Sequence, residues 1–130
     1  MPKIYLDSCL VIYLVEKHEH FYEKVIQQVN LYPMAEFIVS SLTALEVLAK
    51  PTKDQDTGLI IRYQTFLNQF QTDGLNDAVM LDAIKYRASG LKTPDALHVA
   101  FAKRYQCDQF WTNDDRLSRS LAGWTLNVCA

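Results

Sequence analysis

Short apolar segments with strand character alternate with helical segments along this chain, and this alternation limits the possible folds more than any other feature. Strands are predicted at residues 3–7, 36–40, 71–75, 109–112 and 124–128. Helices are predicted at residues 9–15, 20–31, 42–49, 57–70, 77–89, 93–105 and 115–121. Strands that alternate with helices form a mainly parallel sheet with helices on both faces. The sequence therefore predicts an α/β fold, a three-layer α/β/α sandwich.

Residues with capping or helix-breaking character set the predicted helix ends. Ser8 and Thr93 are predicted to cap the helices that follow them, since a hydroxyl accepts hydrogen bonds from the free amides of a first turn. Pro33 and Pro51 are predicted to end helices, because proline has no amide hydrogen. Gly90 is predicted as the C-cap of the helix before it.

The composition is that of one globular domain, which we predict to span residues 1–130. Hydrophobic residues make up 49% of the chain and charged residues 22%, which excludes a disordered or collagen-like chain. The net charge is −2, but residues 1–84 contain six Lys and Arg against eleven Asp and Glu, whereas residues 85–130 contain seven against four. We therefore expect an anionic partner to contact the C-terminal third.

Three widely spaced cysteines, Cys9, Cys107 and Cys129, form no Cys-x-x-Cys pair. We therefore expect neither a disulfide framework nor a zinc knuckle, and we predict a reducing, cytoplasmic location. The apolar run near the N-terminus is interrupted by Asp7 and closed at Glu16. It is too short to span a bilayer and has no evident cleavage site, so no membrane or signal segment is predicted.

Four carboxylates lie at or near the predicted carboxyl ends of strands, which is where open parallel sheets form their sites. Asp7 ends the first strand, and Glu46 lies early on the helix after the second. Asp95 lies in the first turn of a later helix, and Asp114 directly follows a later strand. In a parallel sheet these four side chains could face one pocket.

Each acid also has a purely structural interpretation, which is the commoner one when the residue is taken alone. Asp7 could help to start a helix, Asp114 could cap one, and Asp95 lies where the helix dipole favours an anion. Glu46 fits a capping box in which its side chain reaches back to the Thr43 amide.

Taken together, the four acids favour a metal site. Carboxylates gathered in one pocket repel one another and raise each other's pKa values, and a divalent cation removes that conflict. Ligands that offer only oxygen favour Mg²⁺ or Mn²⁺ over zinc.

The segments that contain these acids resemble PIN-domain ribonucleases, and most closely the VapC-like toxins of toxin–antitoxin pairs. KIYLDSC contains Asp7, SSLTALEVL contains Glu46, TPDALHVAFA contains Asp95 and FWTNDDRL contains Asp114. Their order and spacing match the acidic signature of that family over nearly the whole chain. PDALHVA and WTND are the most specific segments.

The resemblance implies an α/β/α sandwich and Mg²⁺- or Mn²⁺-dependent cleavage of RNA. It implies that Asp7, Glu46 and Asp95 are the core acids, and that Asp114, with Asp115 beside it, is the more variable fourth. Metal ions at such a site generate hydroxide, fix an in-line geometry and stabilise the charge that develops on the phosphate oxygens. We expect Asp7 and Asp95 to coordinate metal directly, Glu46 to bind the same ion or its water, and Asp114 to support a second ion or orient water.

The resemblance also implies neighbours and partners for this site. It places the hydroxyl of Thr112 beside the metal and Ser8 directly after the first acid. It implies a homodimer and a cognate antitoxin, for which the helices at residues 20–31 and 57–70 offer apolar surfaces.

Other residues of chemical interest have simpler interpretations. His98 is predicted to be a packed, hydrogen-bonded histidine, although it lies one turn from Asp95. His18, Glu19 and His20 are predicted to form a solvated turn, because they do not match a metal-binding His-Glu motif. Five cations flank the pocket in sequence and could contact RNA phosphates: Lys50, Lys53, Lys92, Arg116 and Arg119. The aromatic residues Tyr63, Phe66 and Phe70 are predicted to pack in the core or at a dimer surface rather than to stack on bases.

Three alternative functions stay open. The chain could be a PIN-type nuclease of RNA processing that has no antitoxin, or a non-catalytic binding domain that keeps the fold. It could also be a phospho-accepting receiver domain, but that function needs paired acids near the first strand and a lysine after a later one. Asp7 stands alone, and no lysine follows a predicted strand.

Overall fold

The computed structural model of the chain describes residues 1–70 and 74–130, and in them strands alternate with helices. The predicted strand at 71–75 lies largely outside the described residues, and Gly74 and Leu75 belong to no strand. The elements in chain order are β1 (Lys3–Leu6), α1 (Ser8–Glu16), α2 (Tyr22–Asn30), β2 (Glu36–Ile38), α3 (Ser41–Lys53), α4 (Thr57–Leu67), α5 (Asp77–Ala88), α6 (Thr93–Arg104), β3 (Gln109–Thr112), α7 (Asp115–Ser120) and β4 (Thr125–Asn127).

Four strands of the described residues form one sheet in the order β2-β1-β3-β4, and every neighbouring pair is parallel. In the central pair, Tyr5 lies opposite Phe110 and Leu6 lies opposite Trp111. The carboxyl ends of all four strands therefore lie along one edge of the sheet. This is the edge at which open α/β sheets place their sites.

Two apolar clusters cover the two faces of this sheet. Successive side chains of a strand point to opposite faces, so Ile4 and Leu6 pack with helices α1 to α4, including the buried Tyr63. Tyr5 packs on the other face with α5 and α6, including the buried Phe101. Helices therefore cover the sheet on both sides, and the predicted three-layer α/β/α sandwich is confirmed.

Two predicted N-caps are wrong by one residue. Ser8 is the first residue of α1, and the cap is Asp7, whose Oδ1 accepts a hydrogen bond from the Ser8 amide at 2.8 Å. Thr93 is the first residue of α6, and Lys92 precedes it without a side-chain bond to the helix. In both cases the helix begins one residue earlier than the hydroxyl pattern predicts, because hydroxyl residues are accepted inside a first turn as well as before it.

Two helix ends differ from those predicted from proline and glycine. Pro51 lies inside α3, which continues to Lys53, so the prediction that this proline ends the helix is wrong. A proline removes one amide donor, and here that loss falls in the last turn. Ser89 is the C-cap residue of α5, and Gly90 follows it with φ of 112°. Glycine adopts this backbone conformation without steric cost.

Within residues 1–70 and 74–130, no helix has the length and apolar character needed to cross a bilayer.

Candidate active site

Asp7 is fixed at the carboxyl edge of the sheet, between the two central strands. Its amide donates a hydrogen bond to the Trp111 carbonyl at 3.0 Å, which continues the β1–β3 pairing past the end of β1. Its carboxylate accepts hydrogen bonds from the Ser8 amide and from the Thr112 hydroxyl, both at 2.8 Å. The side chain is only 14% exposed. Thr112 thus lies beside Asp7, the acid that the family resemblance implies is a metal ligand.

Asp95 lies close enough to two other acids for their charges to act on it. Burial raises the pKa of the Asp95 carboxyl, and the charges of Asp7 and Asp114 raise this pKa further. His98 and Lys92 act in the opposite direction and offset only part of the increase in its pKa. The structure therefore brings Asp7, Asp95 and Asp114 close together in one acid cluster, and the charges of Asp7 and Asp114 oppose the ionisation of Asp95.

Asp114 caps a helix and also lies close enough to Asp95 for its charge to act there. One oxygen, Oδ1, accepts hydrogen bonds from the amides of Arg116 and Leu117 at 2.9 and 3.1 Å, so the side chain caps α7. The same residue is one of the charges that act on Asp95. Its neighbour Asp115 instead accepts a hydrogen bond from the Asn127 amide group at 2.6 Å.

Glu46 lies next to the cluster through two shared neighbours, Ser8 and His98, and Nε2 of His98 is 4.0 Å from Oδ1 of Asp7. Oε1 of Glu46 lies 2.5 Å from Nε2 of His98 and accepts a hydrogen bond from the Ser8 hydroxyl at 2.7 Å. The predicted capping box with Thr43 is therefore wrong. The N-cap of α3 is Ser40, whose amide donates to Thr43 Oγ1 at 3.2 Å, so Glu46 lies too far along the helix to act as the box residue.

His98 connects Glu46 to the core. It is 1% exposed, and its Nδ1 lies 2.6 Å from the hydroxyl of Tyr5, which in turn lies 2.9 Å from the Ser40 hydroxyl. Since an ionised carboxylate can only accept, Nε2 carries the hydrogen that faces Glu46. The pKa of Glu46 is lowered, mainly by the hydrogen bond from His98. Partial burial acts in the opposite direction, and the hydrogen bond from Ser8 lowers the pKa further. The prediction of a packed, hydrogen-bonded histidine is confirmed, and the contact with Glu46 adds to it.

Two cavities flank the acid cluster and share Asp114 and Arg116. One has a volume of about 540 Å³ and lies on the side of Asp7, and the other, of about 550 Å³, lies on the side of Asp95. Of the five cations predicted to contact phosphate, Arg116, Arg119 and Lys92 line these cavities. The side chains that the sequence did not single out are Tyr13 and Asn113, which line the first cavity and are hydrogen-bonded to each other at 3.0 Å.

The remaining candidates lie away from the acids. Tyr63 is buried and donates a hydrogen bond to Glu16, and Phe66 and Phe70 pack against the same core cluster, so the core interpretation of these aromatic residues is confirmed. In the predicted solvated turn, His20 is exposed but His18 stacks on Phe21, with ring centroids 4.9 Å apart.

The acid cluster offers oxygen ligands without forming a complete cage. No group of three or more His, Cys, Asp or Glu side chains within residues 1–70 and 74–130 is arranged to hold a metal ion. Mg²⁺ is commonly bound by one or two carboxylates together with water and substrate phosphate, and does not need such a cage. The raised pKa of Asp95 beside two other carboxylates is the electrostatic environment that a divalent cation would stabilise. The donor set therefore fits Mg²⁺ or Mn²⁺.

Comparison with solved structures shows the same fold in several bacterial complexes. A toxin–antitoxin complex from Klebsiella pneumoniae matches with a TM-score of 0.76 and 19% identity, over 96% of this chain and 97% of that one. DNA-bound VapBC from Salmonella typhimurium matches with a TM-score of 0.75 and 18% identity, over 99% and 100%. FitAcB from Neisseria gonorrhoeae matches with a TM-score of 0.76 and 15% identity, over 96% and 97%.

Two comparisons of the sequence gave different results. No curated protein matches the chain significantly. The family model described as the PIN domain matches residues 4–120, a range that contains all four predicted acids. With this match and the parallel sheet that carries the acid cluster at its carboxyl edge, the chain belongs to the PIN domain family.

Proposed function

We propose that this chain is a metal-dependent endoribonuclease that hydrolyses RNA phosphodiester bonds, and that it is the toxin of a toxin–antitoxin pair. The observation that carries the proposal is the convergence of Asp7, Asp95 and Asp114 at the carboxyl edge of a PIN fold. We further propose that residues 1–130 act as one domain, because both apolar clusters are built on the same sheet. A cytoplasmic location stays a prediction.

Asp7 and Asp95 would hold the cation. A divalent ion bound by them would supply a Lewis acid and a metal-activated water for attack on the phosphodiester bond. Asp7 is suited to this role because its carboxylate orientation is fixed from two sides, by the Ser8 amide and the Thr112 hydroxyl. Asp114 adds a third negative charge to the cluster and would orient the attacking water or support a second ion.

Glu46 would act from the edge of the cluster. His98 and Ser8 both bind its Oε1, which leaves Oε2 without a hydrogen bond from the described residues. Its side chain is 31% exposed, so Oε2 can accept a hydrogen bond from a water at the site. We assign His98 as a positioning residue, since it touches Glu46 and not the reacting atoms.

The cations that line the two cavities would bind the RNA. The acid cluster repels a polyanion, so substrate binding needs positive charge beside it. Arg116 and Arg119 on α7 and Lys92 before α6 supply that charge at the C-terminal third of the chain. Arg guanidinium groups suit phosphate because their donors form two parallel hydrogen bonds.

The alternatives are less well supported. A receiver domain is a different family from the one that matches this chain. A non-catalytic PIN domain has no need of three acids at one edge of the sheet, where two of them oppose the ionisation of Asp95. An RNA-processing nuclease without an antitoxin would have the same site, and the genomic neighbourhood distinguishes it, since a small upstream reading frame is expected only for a toxin.

The first prediction concerns the acids. Asp7→Asn, Asp95→Asn and Asp114→Asn should each lower RNA cleavage in Mg²⁺ or Mn²⁺ by about 100-fold or more, since each removes charge that holds or supports the metal. Cleavage is measured on labelled single-stranded RNA, and EDTA should abolish it. Asn also caps helices well, so Asp114→Asn keeps the cap of α7.

Asp56→Asn is the matched control for these variants. Asp56 caps α4 through a hydrogen bond from the Leu59 amide at 3.1 Å and lines neither cavity. This variant should cleave RNA like the parent chain. Full activity of both Asp7→Asn and Asp95→Asn would refute the proposed nuclease site.

The second prediction concerns His98. His98→Leu removes the hydrogen bond to Glu46 and should lower kcat by about 10- to 100-fold, as is typical for groups that orient metal-site ligands, with little change in KM for RNA. His98→Gln places an amide donor near the former Nε2 position and should recover part of kcat. Thermal unfolding of both variants separates this effect from loss of folded protein. Equal kcat in His98→Leu and the parent would contradict the positioning role.

The third prediction concerns toxicity. Induced expression of the chain alone in a bacterial host should arrest growth, and Asp7→Asn should not, because RNA cleavage is the cause of the arrest. Growth curves and protein levels measured together give the comparison at equal expression. If a small reading frame precedes the gene, its co-expression should restore growth of the parent strain. Normal growth with abundant active nuclease would favour RNA processing over a toxin.

The surfaces proposed for protein partners also change with the structure. Helices α2 and α4 pack on the core through Val25, Tyr63 and Leu67, and of the large apolar side chains on these two helices Ile61 is exposed, at 55%. On α5, by contrast, three large apolar side chains are exposed: Met80 at 47%, Leu81 at 63% and Ile84 at 63%. We propose that this stripe forms the interface with a second copy of the chain.

Charge supports a second copy on this stripe. The acidic Asp77 lies in the first turn of α5, and the basic Lys85 and Arg87 lie in its last turn. A two-fold axis near Leu81 would pair the helix antiparallel with its copy and set Asp77 opposite Lys85. Such self-complementarity is what a symmetric dimer interface requires.

The fourth prediction tests this interface. The parent chain should behave as a dimer in light scattering, and Leu81→Glu should shift it to a monomer, since the charge would be buried against its own copy. Met34→Glu is the control, because Met34 is also exposed, at 67%, but lies outside α5. A monomeric parent, or a Leu81→Glu variant that stays dimeric, would contradict the interface.

A further inference from the structure

We propose that the cavity beside Asp7 is a subsite for one unpaired nucleobase of the RNA strand, bound by Tyr13 and Asn113. This inference rests on the proposed nuclease function, because the subsite would hold the nucleotide next to the cleaved bond. The cavity is a shallow, open cleft with a volume of about 540 Å³, which gives room for one base of an extended strand.

Tyr13 and Asn113 present at least one donor and one acceptor to this cavity. The Asn113 amide group donates to the Tyr13 hydroxyl oxygen at 3.0 Å. The hydroxyl hydrogen of Tyr13 and the Oδ1 of Asn113 then have no partner among the described residues. If the amide is turned by 180°, the two roles exchange and one donor and one acceptor are still available.

A donor beside an acceptor matches the Watson–Crick edge of a base. Every nucleobase carries adjacent donor and acceptor atoms on that edge, and proteins read them in single-stranded RNA. In a duplex the same atoms are already paired. The pair of side chains would therefore bind unpaired bases and reject paired ones, without distinguishing strongly among the four.

The packing around Tyr13 fixes the pair before the base arrives. The ring of Tyr13 contacts the rings of His18 and Phe21, with centroids 4.9 and 5.0 Å away. Asn113 directly follows Thr112, whose hydroxyl is bonded to Asp7. The subsite is thus tied to the acid cluster through the backbone of the strand end, and little conformational entropy is lost on binding.

Cations and the second cavity indicate the path of the strand. Arg116 and Arg119 line the same cavity and form no ion pair within residues 1–70 and 74–130. Asp114 and Arg116 also line the second cavity, which contains Lys92 and Asp95. A strand with its base in the first cavity and its next nucleotide in the second would pass its phosphate over the acids.

Binding without cleavage tests the subsite. In EDTA, fluorescence anisotropy measures the affinity of a short labelled single-stranded RNA of mixed sequence and of the same RNA in a duplex. Tyr13→Phe and Asn113→Leu should each weaken single-strand binding about five-fold, as loss of one hydrogen bond predicts, and should leave duplex binding unchanged. Tyr32→Phe is the control, because Tyr32 packs on Trp111 outside both cavities, and it should bind like the parent.

The outcomes separate this inference from the proposed function. Three results would overturn the subsite: parent-like affinity in both variants, an equal loss of affinity for single strand and duplex, or a parent chain that binds no RNA. Any of them would also be expected if the cavity binds a peptide instead of a base. If the variants of Tyr13 and Asn113 cleave RNA like the parent chain and also bind it like the parent, the proposed nuclease function stands and the subsite is refuted. If RNA binding depends on both residues but the parent chain cleaves no RNA, the subsite is supported and the proposed nuclease function is refuted.

Discussion

The acid cluster depends on the hydrogen bond that the Thr112 hydroxyl donates to Asp7 across the two central strands. The charges of Asp7 and Asp114 act against that of Asp95, so the cluster needs contacts that hold its carboxylates in place. The bond from Thr112, together with the Ser8 amide, holds the carboxylate in place while it is only 14% exposed. Because Thr112 belongs to β3 and Asp7 follows β1, the parallel pairing of these strands is what brings the site together.

The strands of the sheet could be predicted from the sequence, but some helix ends and exposed helix faces could not. Strand β3 has the predicted bounds, since a short β-prone run followed by polar residues has few other structures available. Pro51 was misleading because the cost of a proline depends on where it falls in the helix. The exposed stripe of Met80, Leu81 and Ile84 could not be predicted, because periodicity alone does not tell which apolar face of a helix is covered.

In the site, too, some contacts could be predicted from the sequence and others could not. Ends of parallel strands lie together whatever the loops do, so Asp7 and Asp114 could be placed near each other from the sequence. Tyr13 and Asn113 are 100 positions apart and meet only through the packing of α1 against the end of β3. Glu46 had a local partner available in Thr43, and nothing in the local sequence favours His98, 52 positions away, over that partner. Long-range side-chain pairs of this kind depend on layer packing, which a residue pattern does not specify.

The four acids of the family signature are therefore not equivalent in this chain. The pKa of Asp95 is raised by burial and by like charges, whereas the pKa of Glu46 is lowered by His98 and Ser8. A group whose charge is opposed benefits most from a cation, and a group whose charge is already balanced benefits least. Environments that push the pKa values of neighbouring acids apart commonly separate their roles. On this ground we propose Asp95 for direct coordination and Glu46 for holding water, even though the sequence signature treats the four residues alike.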